Sequence, residues 1–211
     1  MPLVYQQNIN PFTKLGVWHI TEPESFFIKD VPLQREITHP NKRLQHLAGR
    51  YLLKELYPGF PYELIKIADT RKPFLENEAY HFSISHCGYY AAVMVSTHHR
   101  VGVDVERITD KAVKIKHKFL SPFEQNMIDQ LAEGNNQQLL CFITAAWSIK
   151  ESLFKWYGDG EVDFIEHLLI KQITSDYPYG RAICRVTKEK DWDLTVHFQF
   201  YEDNVISRVI S

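Results

Sequence analysis

Trp147, Glu151 and Lys155 repeat an aromatic, a carboxylate and an ammonium at every fourth position, inside the run AAWSIKESLFKWYG that ends at Gly158. On a helix that spacing places all three on one face, with Lys150 and Phe154 one position round. Glu151 four residues ahead of Lys155 is also the favourable order for a solvated ion pair, so the stretch alone is compatible with a wet helix face. A second acidic run lies upstream. In RVGVDVERI, strand alternation puts Val101, Val103 and Val105 on one side and Gly102, Asp104 and Glu106 on the other. Two carboxylates side by side repel unless solvent, a basic partner or a cation relieves them. At an exposed sheet edge, water alone would do so.

Taken together, Asp104, Glu106 and Glu151 make a donor set suited to an oxygen-preferring divalent cation such as Mg2+, which keeps positions for water and substrate phosphate. That favours phosphoryl chemistry, with Arg43, Lys72, Lys150 and Lys155 as cations available to phosphate oxygens. No Cys/His set has zinc-ligand spacing. His86 precedes Cys87, but neighbours on an extended chain point to opposite sides, which argues against a nucleophilic Cys–His pair.

The composition bounds what such a centre can serve. With 211 residues and 45% apolar content the chain can fill a substantial core. A formal charge of -2 argues against a nucleic-acid-coating surface. Three scattered cysteines, Cys87, Cys141 and Cys184, exclude a disulfide framework and fit a reduced, cytoplasmic setting. No stretch has the apolar length of a membrane span, so neither a membrane nor a nucleic acid is expected as a partner.

The elements that must position these residues follow from periodicity and turn chemistry. A first strand is expected over 14–20, followed by a region broken at Pro23, Pro32 and Pro40. Asn41 can cap a helix through KRLQHLAGRYLLKEL, which Pro58-Gly59 ends. YELIKIA reads as a strand, and Pro73 holds Lys72 extended. HFSISHCGYYAAVMVS reads as two strands meeting at Cys87-Gly88, with Ser85 and His86 at the bend. A polar break at 97–100 precedes the Asp104 strand, after which 111–119 is expected to be helical with a lysine-rich outer face. Ser121-Pro122 starts another helix, and a long one follows over 137–156, closed by Gly158. Four strands are expected over 164–173, 180–187, 193–201 and 205–210. The order of elements suggests two α+β subdomains, 1–99 and 100–211.

GVDVE at 102–106 followed by WSIKESLFK at 147–155 resembles the 4'-phosphopantetheinyl transferase superfamily, in its surfactin-synthetase-activating type. KRLQHLAGR at 42–50, RKP at 71–73 and SISH at 83–86 agree with it. The resemblance implies a fold of two similar α+β subdomains in pseudo-twofold arrangement, with the active site in the cleft between them. It also implies a Mg2+ ion held by Asp104, Glu106 and Glu151, and coenzyme A as substrate. Arg43, Lys72, Ser85 and His86 would grip the nucleotide phosphates, and Lys150 and Lys155 would lie near the pyrophosphate. The family's reaction moves the phosphopantetheine arm onto a serine of an apo acyl or peptidyl carrier protein, releasing 3',5'-ADP, with Glu151 or a metal-bound water as base.

Departures from the pattern are local. Lys29, Arg35 and Lys42 are scattered where the family often has a basic run, and Cys87 stands where serine is usual. Residues 111–118 are either a docking face for an acidic carrier protein or a solvated helix face. Two subdomains in one chain would complete a cleft without a second copy, so a monomer is expected. Rival readings of the same residues are a metal-dependent phosphoesterase and a non-catalytic module that binds coenzyme A or a carrier protein.

Overall fold

The computed structural model describes residues 2–31, 33 and 36–211, in two compact units, one reaching Val101 and the other running from Gly102 to Ser211. Pro32 and Arg35 lie outside the described residues.

In the first unit, β1 (Leu3–Asn10) and β2 (Thr13–His19) form an antiparallel pair, followed by the short α1 (Glu24–Phe27) and the long α2 (Pro40–Leu56). Two-residue strands β3 (Lys66–Ile67) and β4 (Pro73–Phe74) pair with each other, and β5 (His81–Cys87) and β6 (Tyr90–Ser96) form a hairpin. The main sheet has the order β1-β2-β6-β5 and is antiparallel at every junction. One stripe of α2, with Leu47, Leu52, Leu53 and Leu56, is buried together with Val93 and Val95 of β6. That stripe gives the helix its reason to form, since an isolated helix of this length is marginal in water.

Two expectations for this unit shift. The start of α2 lies one residue before Asn41: His39 takes the cap position and Pro40 the first helical turn, where its missing N–H and fixed φ suit a helix start. YELIKIA is a 3-10 turn over Tyr62–Leu64 followed by the short β3. Its buried residues, Tyr62 and Ile65, are three apart, which is the spacing of a 3-10 turn, while Leu64 and Ile67 are exposed.

The second unit begins within β7 (Val101–Arg107) and continues through α3 (Asp110–Ile115), α4 (Pro122–Ala132) and α5 (Asn136–Tyr157). It ends in the meander β8 (Leu168–Asp176), β9 (Tyr179–Val186), β10 (Trp192–Tyr201) and β11 (Asn204–Ile210), giving the strand order β7-β11-β10-β9-β8. α5 lies along this sheet and against α3 and α4, burying Ile149, Leu153 and Trp156 with Val196, Val205 and Val209. α4 starts at the expected Ser121. The Ser121 hydroxyl accepts from the Glu124 N–H at 3.3 Å, and Glu124 Oε2 accepts from the Ser121 N–H at 2.8 Å, a complete capping box. Gly158 caps the far end of α5 in the left-handed conformation. Each unit thus has a helix laid on a largely antiparallel sheet, and the chain is α+β.

Candidate active site

β7 carries valines to the core on one side and acids on the other, but the acids are not left to water. Asp104 is 2% exposed and Glu106 is half-buried, so the solvated-edge alternative does not describe this strand. The reason lies in Gly102. A Cβ there would sit 2.9 Å from the Cβ and the backbone nitrogen of Trp156 and would collide with the Ser152 carbonyl. Only glycine lets β7 approach α5 this closely, and that approach brings the strand's carboxylates to the helix face.

On that face, Lys155 Nζ donates to Asp104 Oδ1 at 2.6 Å. Trp147 Nε1 donates to Glu106 Oε1 at 3.2 Å. Glu151 lies between these positions along α5 and is also half-buried. Burial and then the charge of Asp104 push the Glu151 carboxyl up to about 7; Lys155 pulls it back and Glu106 adds to the rise. Burial, followed by the Asp104 charge, also raises Glu106, against the pull of the Trp147 N–H, Lys155 and Lys111. The centre therefore holds three mutually repelling carboxylates at the half-buried strand–helix junction, with one lysine bridged to Asp104.

The chemistry of that donor set fits a hard divalent cation, whose charge would offset the repulsion. Its geometry does not form a ready-made cage: among the described residues, no three His, Cys, Asp or Glu side chains converge as metal ligands. The Lys155 ammonium lies against the Asp104 oxygen instead.

Lys150 does not share this centre. Its side chain is fully buried, and Nζ donates to Glu124 at 2.8 Å and to the Phe164 carbonyl at 2.8 Å. Against an expected place near a pyrophosphate, its ammonium is bound here to Glu124 and a backbone carbonyl: one position round a helix is about 100°, enough to turn a side chain away from the Glu151 face into the core. Sequence reasoning also missed the Trp147 hydrogen bond to Glu106 and the part played by Glu124. The S-x-x-E spacing at 121–124 signals a cap, but nothing in it signals Lys150.

The residues carried over to the first unit are anchored in different ways. Arg43 Nε donates to Glu24 Oε2 at 2.8 Å and Nη1 donates to the Ile37 carbonyl at 3.0 Å. Lys72 is half-buried just before β4, and its charge contributes to lowering His81, whose main depression comes from burial. Ser85 is buried and His86 exposed on consecutive positions of β5, so strand alternation turns them to opposite faces.

One buried and two half-buried acids thus meet a lysine between one strand and one helix of an α+β chain. The family model described as the 4'-phosphopantetheinyl transferase superfamily matches residues 100–207, and the chain belongs to that superfamily. Over 194 residues it is 32% identical to the enterobactin synthase component D of Escherichia coli O157:H7, covering 88% of each chain. It is 34% identical over 116 residues to the 4'-phosphopantetheinyl transferase gsp of Aneurinibacillus migulanus, which covers 54% of this chain and 46% of that protein. A shorter match, 35% over 80 residues, covers 38% of this chain and 34% of the 4'-phosphopantetheinyl transferase of Bacillus subtilis. Among the described residues no helix is long and apolar enough to cross a membrane.

Proposed function

We propose that this chain transfers the 4'-phosphopantetheine arm of coenzyme A to a serine of an apo acyl or peptidyl carrier protein, with Mg2+ as the required cation. The observation that carries the reading is the junction of Lys155 and Asp104 at 2.6 Å beside the raised carboxyl of Glu151, all within the span that matches the family. In the reaction the serine oxygen forms a bond to the phosphorus that bears the pantetheine arm, and the bond from that phosphorus to the bridging oxygen breaks, releasing 3',5'-ADP. The serine proton passes to Glu151, directly or through a water; the raised proton affinity of that carboxyl belongs to the metal-free chain, and a cation bound to it would lower that affinity and shift the task to the water. Lys155 steadies the charge that grows on the departing phosphate. Asp104 holds the Lys155 ammonium at its post, and Trp147 fixes the rotamer of Glu106. Bound Mg2+, held by Asp104, Glu106 and Glu151, would draw charge off the pyrophosphate oxygens.

Arg43, Lys72, Ser85 and His86 are proposed to contact the nucleotide end of coenzyme A. Ser85 and His86 face opposite ways on β5, which favours one of them supplying a side chain and the other its backbone. Lys111 and Lys118, both exposed, are proposed to meet an acidic carrier protein.

Intact-mass spectrometry tests the reading directly. Apo acyl and apo peptidyl carrier proteins, incubated with the chain, coenzyme A and Mg2+, should each be examined for the gain of one phosphopantetheine arm. A gain that EDTA abolishes supports both the transfer and its metal requirement. No gain on either carrier would overturn the proposal.

A further inference from the structure

Glu124 and Lys150 form a buried ion pair that the reaction does not use, and its placement has a consequence for the residues that the reaction does use. The two side chains are 2% and 0% exposed. Lys150 Nζ donates to Glu124 and to the carbonyl of Phe164, each at 2.8 Å. Glu124 in turn accepts the Ser121 N–H on Oε2 and the Ile170 N–H on Oε1, both at 2.8 Å. One carboxylate therefore ties the start of α4, the middle of α5 and the start of β8 together.

For stability alone this is an expensive arrangement, because a buried pair of charges is commonly no better than well-packed apolar residues of the same volume. Burial pushes the Lys150 ammonium below its usual range, and the charge and hydrogen bond of Glu124 counter it. What the pair secures is the position of Phe164. The carbonyl of that residue accepts a hydrogen bond from Lys150, and its ring stacks on Trp147, with centroids 5.6 Å apart and planes at 27°. Phe119 closes on Trp147 edge-on at 4.9 Å. In contact with both rings, the indole donates its Nε1–H to Glu106 Oε1.

We infer that Glu124 and Lys150 are positioning residues for the transfer: their buried pair seats Phe164 against Trp147, and so fixes the Glu106 carboxylate at the active centre. This rests on the function proposed above. It changes the assignment of Lys150 from a phosphate contact to a part of the frame behind the site, three residues after Trp147 and one before Glu151 on the same helix.

The test removes both charges together with Glu124→Gln/Lys150→Met, so that neither is left buried alone and the glutamine can still accept a backbone N–H. Phe164→Leu is the companion variant; it removes the stacked ring and leaves the ion pair in place. Two readouts are taken on the full chain: the 15N–1H indole resonance of Trp147, assigned by its loss in Trp147→Phe, and kcat and KM with coenzyme A. Both variants should shift or broaden the Trp147 resonance and lower kcat by about tenfold or more, as misplacement of a catalytic group does, with KM for coenzyme A little changed. A folded double variant with the Trp147 resonance and kcat of the wild type overturns the inference. If the double variant does not fold, a wild-type resonance and kcat in Phe164→Leu overturns it equally. Failure of the wild-type chain to modify any carrier would remove the proposed function, whereas the indole readout would still decide the coupling.

Discussion

Lys155 Nζ and Asp104 Oδ1 lie 2.6 Å apart and join α5 to β7 where Gly102 has let the two backbones close up. The pair is uneven: Asp104 is 2% exposed, while Lys155 keeps 24% of its side chain in reach of solvent. A lysine in that position can turn from one anion to another without crossing the core. The Lys150–Glu124 bridge, by contrast, is buried at both ends.

Asp104→Asn follows from that asymmetry. The substitution keeps the shape and removes the charge, and Lys155 can relax toward water, so the thermal midpoint should change by only a few degrees. Transfer to the carrier protein should fall by about 100-fold or more, the scale of losing one electrostatic group from a catalytic centre. Mass-spectrometric rates and circular-dichroism melts check the two halves. An unchanged rate would remove Asp104 from the machinery.

Glu151→Gln should make the metal-free protein more stable and inactive. The folded Glu151 carboxyl titrates at about 7 against an ordinary value of 4.5, so between those pH values the folded chain holds a proton that the unfolded chain has released. Stability of the metal-free chain therefore falls as pH rises from 4.5 through 7, and the loss is complete above 7. The glutamine variant lacks this slope. At pH 8 in EDTA it should exceed the wild type by on the order of 1 kcal/mol, after discounting for partial solvent screening. Urea melts of both proteins at pH 5 and pH 8 measure the difference, which should shrink at the lower pH.

Much of this centre was legible in the chain because its parts obey local rules. GVDVE alternates as a strand should, Trp147, Glu151 and Lys155 keep helical spacing, and Ser121 with Glu124 spells a cap. The ion pairs were not legible, because a lysine's partner is set by packing. Lys155 meets Asp104 across 51 residues, and Lys150 meets Glu124 across 26. A pattern read along α5 alone suggests Glu151 as the partner of the first and a substrate as the partner of the second. β1 is not legible for another reason: in LVYQQNIN the polar residues Gln6, Gln7 and Asn8 run together and break the alternation, as an edge strand paired on one side only can tolerate.

Gly102→Ala tests whether the strand–helix approach builds the site. Its added methyl group would meet the Ser152 carbonyl and the backbone of Trp156, neither of which can swing aside as a flexible side chain would. β7 must back away from α5, at a cost of about 1–3 kcal/mol in stability. The larger effect should be on rate, since Asp104 and Glu106 move with the strand. At a temperature well below its own midpoint, the variant should retain its circular-dichroism spectrum and lose most of its transfer activity. Full activity there would mean that the glycine serves packing alone.

Charge reversal at the lysines of the α3 region separates docking from chemistry. Lys114 is already paired with Asp110 at 2.6 Å, whereas Lys111 and Lys118 are exposed, which makes the latter two the informative positions. Both lie outside the Asp104–Lys155 and Trp147–Glu106 contacts, although the Lys111 charge reaches Glu106 weakly. Lys118→Glu should therefore be the cleaner variant. It should raise KM for an acidic carrier protein about three- to tenfold at low salt, with kcat and KM for coenzyme A unchanged, and the difference should fade as ionic strength rises. A KM that does not move at any salt concentration would assign the lysine-rich segment to solvation, and the carrier would have to meet the chain elsewhere.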